Sequence, residues 1–296
     1  MNPSSSLALY SATAHTAAAQ VITAYSTSFS LATRLLPPTV RGMIQDIYAL
    51  VRVADEIVDG PAHEAGLAHA ECRHTLDTLE AETLAALHGG FSANVVVHAF
   101  ATTARTIGID ETLVGPFFAS MRRDLDPVVS LSDDEYRTYV HGSAEVVGLM
   151  CLRAFLHGHP VPDGVRRRLE EGARRLGAAF QKINFLRDLG DDEDRLGRAY
   201  FPGTGPEPFD EARKTQIVAD IDADLAAARA VVPLLPPGPR RATALAAALF
   251  AELNERLRRT PAATLRTRRV SVPAAVKARI VATVLAGTQT GRRWAA

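Results

Sequence analysis

An all-α domain with its helices around a central cavity is the fold this 296-residue sequence predicts, on three observations. Apolar residues recur at the three- and four-residue spacing of helices along nearly the whole chain. Scarcely any segment alternates apolar and polar residues as a half-buried strand does. Breaks between the periodic stretches coincide with clusters of proline and glycine.

Taken in order, residues 1–12 read as a flexible N-terminus and residues 13–296 as a single all-helical domain. The first helix is expected over 13–24. The second, over 39–59, follows Pro37-Pro38 and stops at Gly60-Pro61, and the third, over 63–88, runs from there to Gly89-Gly90. Helices over 93–106 and 111–124 come next. Ser132 caps a long helix over 133–156 that ends before Pro160. The following helix, over 164–189, carries the second of two acidic clusters. Proline-rich stretches at 202–208 and 233–239 bracket a helix over 211–231, and Pro261 closes one over 240–258. A last helix is expected over 273–286.

The two acidic clusters are Asp55-Glu56-Ile57-Val58-Asp59 and Asp188-Leu189-Gly190-Asp191-Asp192, each pairing aspartates at i and i+4. On a helix such a pair shares one face at a separation of about 6 Å. Carboxylates that close repel each other and resist burial, so a cation is expected between them. Hard oxygen ligands with room for water and phosphate suit Mg²⁺ held jointly by protein and substrate, which makes a metal-bridged diphosphate site the sharpest reading. Tyr48, Arg52, Asp55 and Asp59 share one helical face, and Gln181, Asn184, Asp188 and Asp192 share another. Between them run Ile44, Ile47, Val51, Ala54 and Val58 in the first helix, and Ala178, Ile183, Phe185 and Leu189 in the second, which would pack both into an apolar body. The bland alternative is a solvated face with fortuitous acids. Two copies with Arg, Tyr, Gln and Asn in register count against it.

Four stretches then resemble the squalene/phytoene synthase family of head-to-head prenyl transferases. They are Ser26-Thr27-Ser28-Phe29-Ser30 with Leu35-Leu36-Pro37 after it, Tyr48 to Asp59, Tyr139 to Met150, and Gln181 to Asp188 continuing to Gly197-Arg198-Ala199-Tyr200-Phe201-Pro202. They occur in the family's order and spacing, and the likeness runs from about Tyr25 to Arg279. The Phe29-to-Pro37 segment and the Ala144-to-Met150 run look more like the carotenoid-pathway members than the squalene synthases.

The resemblance implies that Ser26, Ser28 and Arg52 bind diphosphate and that Asp55, Asp59, Asn184, Asp188 and Asp192 bind Mg²⁺, with Mn²⁺ as a substitute. It places Tyr48, Tyr139, Gln181, Arg187 and Tyr200 around the reacting ends. Asp55, Asp59, Asp188, Asp192, Tyr139 and Arg187 form the implied catalytic set. Phe29, Leu149 and Phe185 would line the cavity, and Ala32, Ala144 and Gly148 would leave room for polyprenyl chains; ordinary core packing explains such residues equally well. Arg52 and Arg187 have the fork geometry that grips phosphate, and pairing with the neighbouring acids is their other reading. The phenol of Tyr139 can face an allylic cation or donate to pyrophosphate; its other reading is a packed tyrosine with a satisfied hydroxyl. Two positions depart from the family pattern. Glu145 follows Ala144 where members often have Gly, and Phe250 stands where many relatives carry Tyr. Arg269, with Arg268 as the alternative, aligns with a later phosphate-binding arginine.

The implied reaction is that of a phytoene synthase. Two geranylgeranyl diphosphates condense head to head through a cyclopropyl diphosphate, with loss of two pyrophosphates, in carotenoid biosynthesis. The alternatives are a dehydrosqualene or squalene synthase acting on two farnesyl diphosphates, and a non-catalytic helical binding protein of the same family. No nucleotide cofactor is expected; the missing Gly-x-Gly-x-x-Gly fingerprint decides little, because reductive relatives need not carry one.

Composition sets the surroundings. With 47% hydrophobic and 22% charged residues the chain can bury a sizeable core, at the upper end for one domain. Lys+Arg equals Asp+Glu, so no nucleic-acid partner is expected. Cys72 and Cys151 lack the spacing of a zinc or disulfide framework, which suits a reducing cytoplasm. The N-terminus does not read as a signal peptide, and no stretch approaches the ~20 apolar residues of a spanning helix. The expected location is cytoplasmic, with peripheral contact on the inner membrane face and prenyl diphosphates as the partners.

Overall fold

The computed structural model describes residues 5–126, 131–196, 198, 200–202 and 209–290, without the side chains of 191–196 and 288–290. The helices are α1 (Ser6–Tyr25), α2 (Thr27–Thr33), α3 (Pro38–Val58), α4 (Pro61–Glu64), α5 (His69–Gly89), α6 (Val95–Ile107), α7 (Glu111–Arg123) and α8 (Asp133–Val140). After a π-helical turn (His141–Glu145) come α9 (Val146–Leu156), α10 (Asp163–Leu196), α11 (Glu211–Val231), α12 (Pro237–Arg259), α13 (Ala262–Leu265) and α14 (Ala274–Thr290). The described residues form an all-α architecture, as the periodicity predicts.

Local chemistry explains where the boundaries depart from expectation. The first helix opens at Ser6, not 13, because the Ser5 side chain accepts from the Ala8 N–H and caps it; residues 6–12 are therefore helical where a flexible segment was expected. Ser26 caps α2 by accepting from the Phe29 N–H, which makes a helix of a serine-rich stretch with no helical periodicity to announce it. The helix expected over 63–88 divides, since Gly66 adopts φ +93° and the chain re-enters a helix only at His69.

The helix expected over 133–156 is continuous in direction but not in type. Ser132 and Glu135 form a capping box at its start. Within the π-helical turn, the Val146 N–H reaches back to the His141 carbonyl. The Ser120 hydroxyl of α7 donates to the Tyr139 carbonyl just ahead of it, and Gly142 faces Pro116 and Ser120 so closely that a Cβ there would strike both.

Two apolar clusters carry the fold. One packs α3 against α5, α6, α7 and α9 through Ile47, Leu50, Leu76, Phe100, Phe117, Phe118 and Met150. The other packs α8, α10, α11 and α12 through Ile183, Leu186, Ile221, Leu225 and Leu257. Buried polar pairs tie the elements: Asp46 of α3 accepts from Thr103 at 2.6 Å and lies 2.8 Å from His15, while Lys182 of α10 pairs with Asp220 and Asp224 of α11. The helix with the first acidic cluster thus belongs to one apolar body and that with the second to the other. Among the described residues no helix is long and apolar enough to cross a membrane.

Candidate active site

On α3, Ile44, Ile47, Ala54 and Val58 are buried, and the opposite stripe of Tyr48, Arg52, Asp55 and Asp59 is left half-exposed. Arg52 pairs with Glu56 one turn on rather than with either aspartate, and its guanidinium lies 4.5 Å over the Tyr25 ring. Its Nε is buried without a partner. The Asp55 carboxylate accepts no hydrogen bond among the described residues, though its backbone carbonyl accepts from the Asp59 N–H at 2.8 Å. Burial first, then the charges of Asp59 and Asp124, push its carboxyl well above the usual carboxylate range, against the pull of Arg52 and Arg198.

On α10, Ala178, Ile183, Phe185 and Leu189 are buried and Gln181, Asn184, Arg187 and Asp188 are only partly so. Arg187 Nε donates to Asp188 Oδ1 at 2.9 Å, and Arg269 donates to the same oxygen at 2.8 Å. Arg269 can reach because Gly190 lets the chain cross α10: a Cβ at Gly190 would collide with the Arg266 carbonyl. Asn184 Oδ1 is buried and unpartnered. Asp192 continues this stripe on the α10 backbone, but its side chain lies outside the described residues.

Arg198, which follows α10 in the chain, reaches across to the first stripe. Its Nη1 donates to Asp59 Oδ1 at 2.7 Å and to the Tyr200 hydroxyl at 3.3 Å, and its Nη2 donates to the carbonyls of Val58 and Asp124, both at 2.6 Å. Asp124, one residue past α7, is buried and accepts from the hydroxyls of Tyr139 at 2.8 Å and Tyr200 at 2.9 Å. Burial pushes its carboxyl up to about 7, with Arg198 and the Tyr139 hydrogen bond opposing. Neither Asp124 nor Arg198 stands out in the sequence. Asp124 follows two arginines with no partner at helical spacing, and Arg198 is only one residue of a longer motif.

Aromatic rings line both sides of this polar centre. Phe185 stacks on Tyr200 at 4.2 Å, and Tyr139 stacks on Tyr200 at 5.1 Å. Phe29 of α2 meets Tyr48, Phe180 and Phe250 at 6.3, 5.8 and 5.5 Å, and Phe180 stacks on Phe250 at 3.8 Å. Phe250 is therefore a packing ring in this structure, held between Phe29 and Phe180. Ser26 caps α2 and also lies within hydrogen-bond reach of the Tyr48 phenol, while Ser28 and Gln181 have no side-chain hydrogen bond among the described residues. Gly148 has a packing reason for its size: a Cβ there would land on the Ala173 carbonyl of α10, so the position serves helix contact and does not open space on that side. Leu149 points toward a separate cleft at the far end of α9.

A family model described as squalene/phytoene synthase matches residues 22–275. A 15-cis-phytoene synthase of Paracoccus sp. is 33% identical over 243 residues, 78% of this chain and 77% of that protein. A phytoene synthase of Mycobacterium tuberculosis is 28% identical over 283 residues, covering 89% of this chain and 87% of the other. Among solved structures, a dehydrosqualene synthase crystallised with a ligand has the same fold, with a TM-score of 0.71 at 22% identity over 95% of this chain and 99% of that one.

Proposed function

The chain belongs to the squalene/phytoene synthase family of head-to-head prenyl transferases, and from that premise we propose that it is a phytoene synthase, joining two geranylgeranyl diphosphates through a cyclopropyl diphosphate to phytoene. The observation that carries the chemistry is Asp55, a partly buried carboxyl with no hydrogen bond among the described residues, one helical turn from Asp59 and facing a polar centre that includes Asp124. Such a group is stabilised by a cation. The choice of a C20 substrate leans on the relatives named phytoene synthase, while the likeness to a dehydrosqualene synthase keeps two farnesyl diphosphates as the second reading.

The donor set fits Mg²⁺: all ligands are oxygen, Asp55 is uncompensated and Asn184 Oδ1 is a buried orphan. Asp55, Asp59, Asn184 and Asp188, with Asp192 on the same face, would hold it. Bound there, it supplies Lewis-acid stabilisation of the departing pyrophosphate. Among the described residues no three acidic, His or Cys side chains come close enough to hold an ion alone, so phosphate oxygens of the substrate would complete the shell.

The rest falls to the chain's own residues. Arg187 and Arg269 both grip Asp188, and Arg52 grips Glu56; each can exchange its carboxylate for a phosphate when substrate enters. One substrate ionises, the other's double bond attacks the allylic cation, and the released pyrophosphate accepts the proton lost as the cyclopropane closes. The stacked rings of Tyr139, Phe185 and Tyr200 offer π faces to the cation, while their hydroxyl partner Asp124 fixes the orientation of both phenols. Phe29, Phe180 and Phe250 keep water from the prenyl chain. An apolar product calls for reversible contact with a membrane surface.

Purified protein incubated with Mg²⁺ and C15 or C20 diphosphates, with and without NADPH, tests the reading. Phytoene from the C20 substrate is the expected product. Dehydrosqualene or squalene from the C15 substrate alone would move the chain to the second reading, and no pyrophosphate release from either would make it a binding protein.

A further inference from the structure

A cleft of about 910 Å³ opens between the end of α6, the start of α7, α9 and the start of α10. Buried leucines at 113, 152 and 156, with Leu149, form its floor. Its rim is cationic: Arg153, Arg166 and Arg174, with His157 and His159 exposed beside them, against the single carboxylate of Glu170. Arg153 and Arg166 have no ion-pair or hydrogen-bond partner among the described residues, and Arg174 reaches Glu171 only at 4.0 Å. Elsewhere arginines such as Arg122, Arg175 and Arg258 are fully engaged with acids. Arg153 feels one further acid, Asp110, which is occupied in capping α7. His141 is held by Glu145 at 2.9 Å.

We propose that this cleft docks the protein on membranes by taking the phosphate headgroup of an anionic phospholipid between Arg153, Arg166 and Arg174, with the first part of the acyl chain on the leucine floor. Charge complementarity favours a phosphate, for which arginine forks are suited. The floor and volume favour a lipid over a free inorganic ion, since pockets of roughly 300–1,000 Å³ suit ligands with substantial apolar surface. The location fits as well. From Arg166 to Asp188 α10 rises about 33 Å, so the cleft lies at the opposite end of that helix from the diphosphate-binding stripe. Docking through it leaves the polar centre open to water-borne diphosphates and sets the other end of the bundle against lipid. Only the purpose, delivery of an apolar product, rests on the proposed function; the binding itself does not.

The test is flotation of the full chain with vesicles of phosphatidylcholine alone or mixed with phosphatidylglycerol. Wild-type protein should float with the mixed vesicles and hardly with the neutral ones. Two basic residues at an anionic surface together account for about a 30-fold change in binding, so Arg153→Ala/Arg166→Ala should lose about that much. Arg153→Lys/Arg166→Lys, which keeps the charge, should retain most of it, and helix content by circular dichroism should match wild type in both. Equal binding to neutral vesicles, or undiminished binding by the alanine variant, overturns the proposal. So does displacement from vesicles by geranylgeranyl diphosphate, which would make the cleft a second prenyl diphosphate site. Hydrocarbon synthesis in detergent is measured on the same samples and should be unchanged in both variants. A wild type that makes no hydrocarbon yet floats would end the proposed reaction and leave the docking site standing.

Discussion

Burial above all holds the Asp124 carboxyl up to about 7, from an ordinary 3.8, and Arg198 and the two phenols offset that only in part. The sign of the consequence follows. Between about pH 4 and about pH 7 the unfolded chain has released this proton and the folded chain still holds it, so this contribution to stability declines as pH rises through that window. Asp124→Asn keeps an acceptor for Tyr139 and removes the titration. Urea midpoints of metal-free protein should therefore fall less between pH 5 and pH 8 in the variant than in wild type; parallel profiles would mean that Asp124 is ionised throughout. The same residue marks the limit of sequence reasoning at this scale. Asp55, Asp59, Asn184 and Asp188 were legible because each shares a helical face with other polar residues at steps of three and four. Asp124 meets Tyr139 and Tyr200 across separations of 15 and 76 residues, and no periodicity encodes such a meeting.

Helix contacts depend on where side chains are missing. Gly148 and Gly177 let the α8–π–α9 segment and α10 approach backbone to backbone, since a Cβ at either would strike the carbonyl of Ala173 or Ala144. That approach brings Tyr139 and Phe185 within 5.9 Å. Gly148→Val or Gly177→Val should cost about 1–3 kcal/mol through forced backbone movement. Gly115 of α7 has nothing within 4 Å of its Cβ position, so Gly115→Ala should instead stabilise by up to about 1 kcal/mol. Chemical denaturation of the three variants checks both signs, and a harmless valine at 148 would show the contact to be looser than drawn. Periodicity found the long helices here, including α3 and α10, because their buried faces repeat over many turns. It passed over α2, which rests on one serine cap, and the π-helical turn, which Ser120 and Pro116 shape from another helix.

At the scale of the whole molecule, the acidic stripes belong to two apolar bodies, and Arg198 bridges them by holding Asp59 and the carbonyls of Val58 and Asp124 on the first and the Tyr200 hydroxyl on the second. Asp55 lacks any such partner, and burial first, then the charges of Asp59 and Asp124, raise the affinity of its carboxyl for a proton. A divalent ion shared with a substrate diphosphate would relieve this and clamp the two bodies together. Mg²⁺ with inorganic pyrophosphate should accordingly raise the melting temperature more than either alone, because whatever binds only the folded state stabilises it by mass action. EDTA should abolish turnover and Mg²⁺ or Mn²⁺ restore it, with Ca²⁺ poorer because its coordination is larger and looser. Asp55→Asn removes the charge without changing the shape, so its helix content should stay native while the thermal shift shrinks and the rate falls by about 100-fold or more, equivalent to about 2.7 kcal/mol of barrier. Full turnover in EDTA, or a thermal shift undiminished in Asp55→Asn, would show that the cation is not held between these stripes.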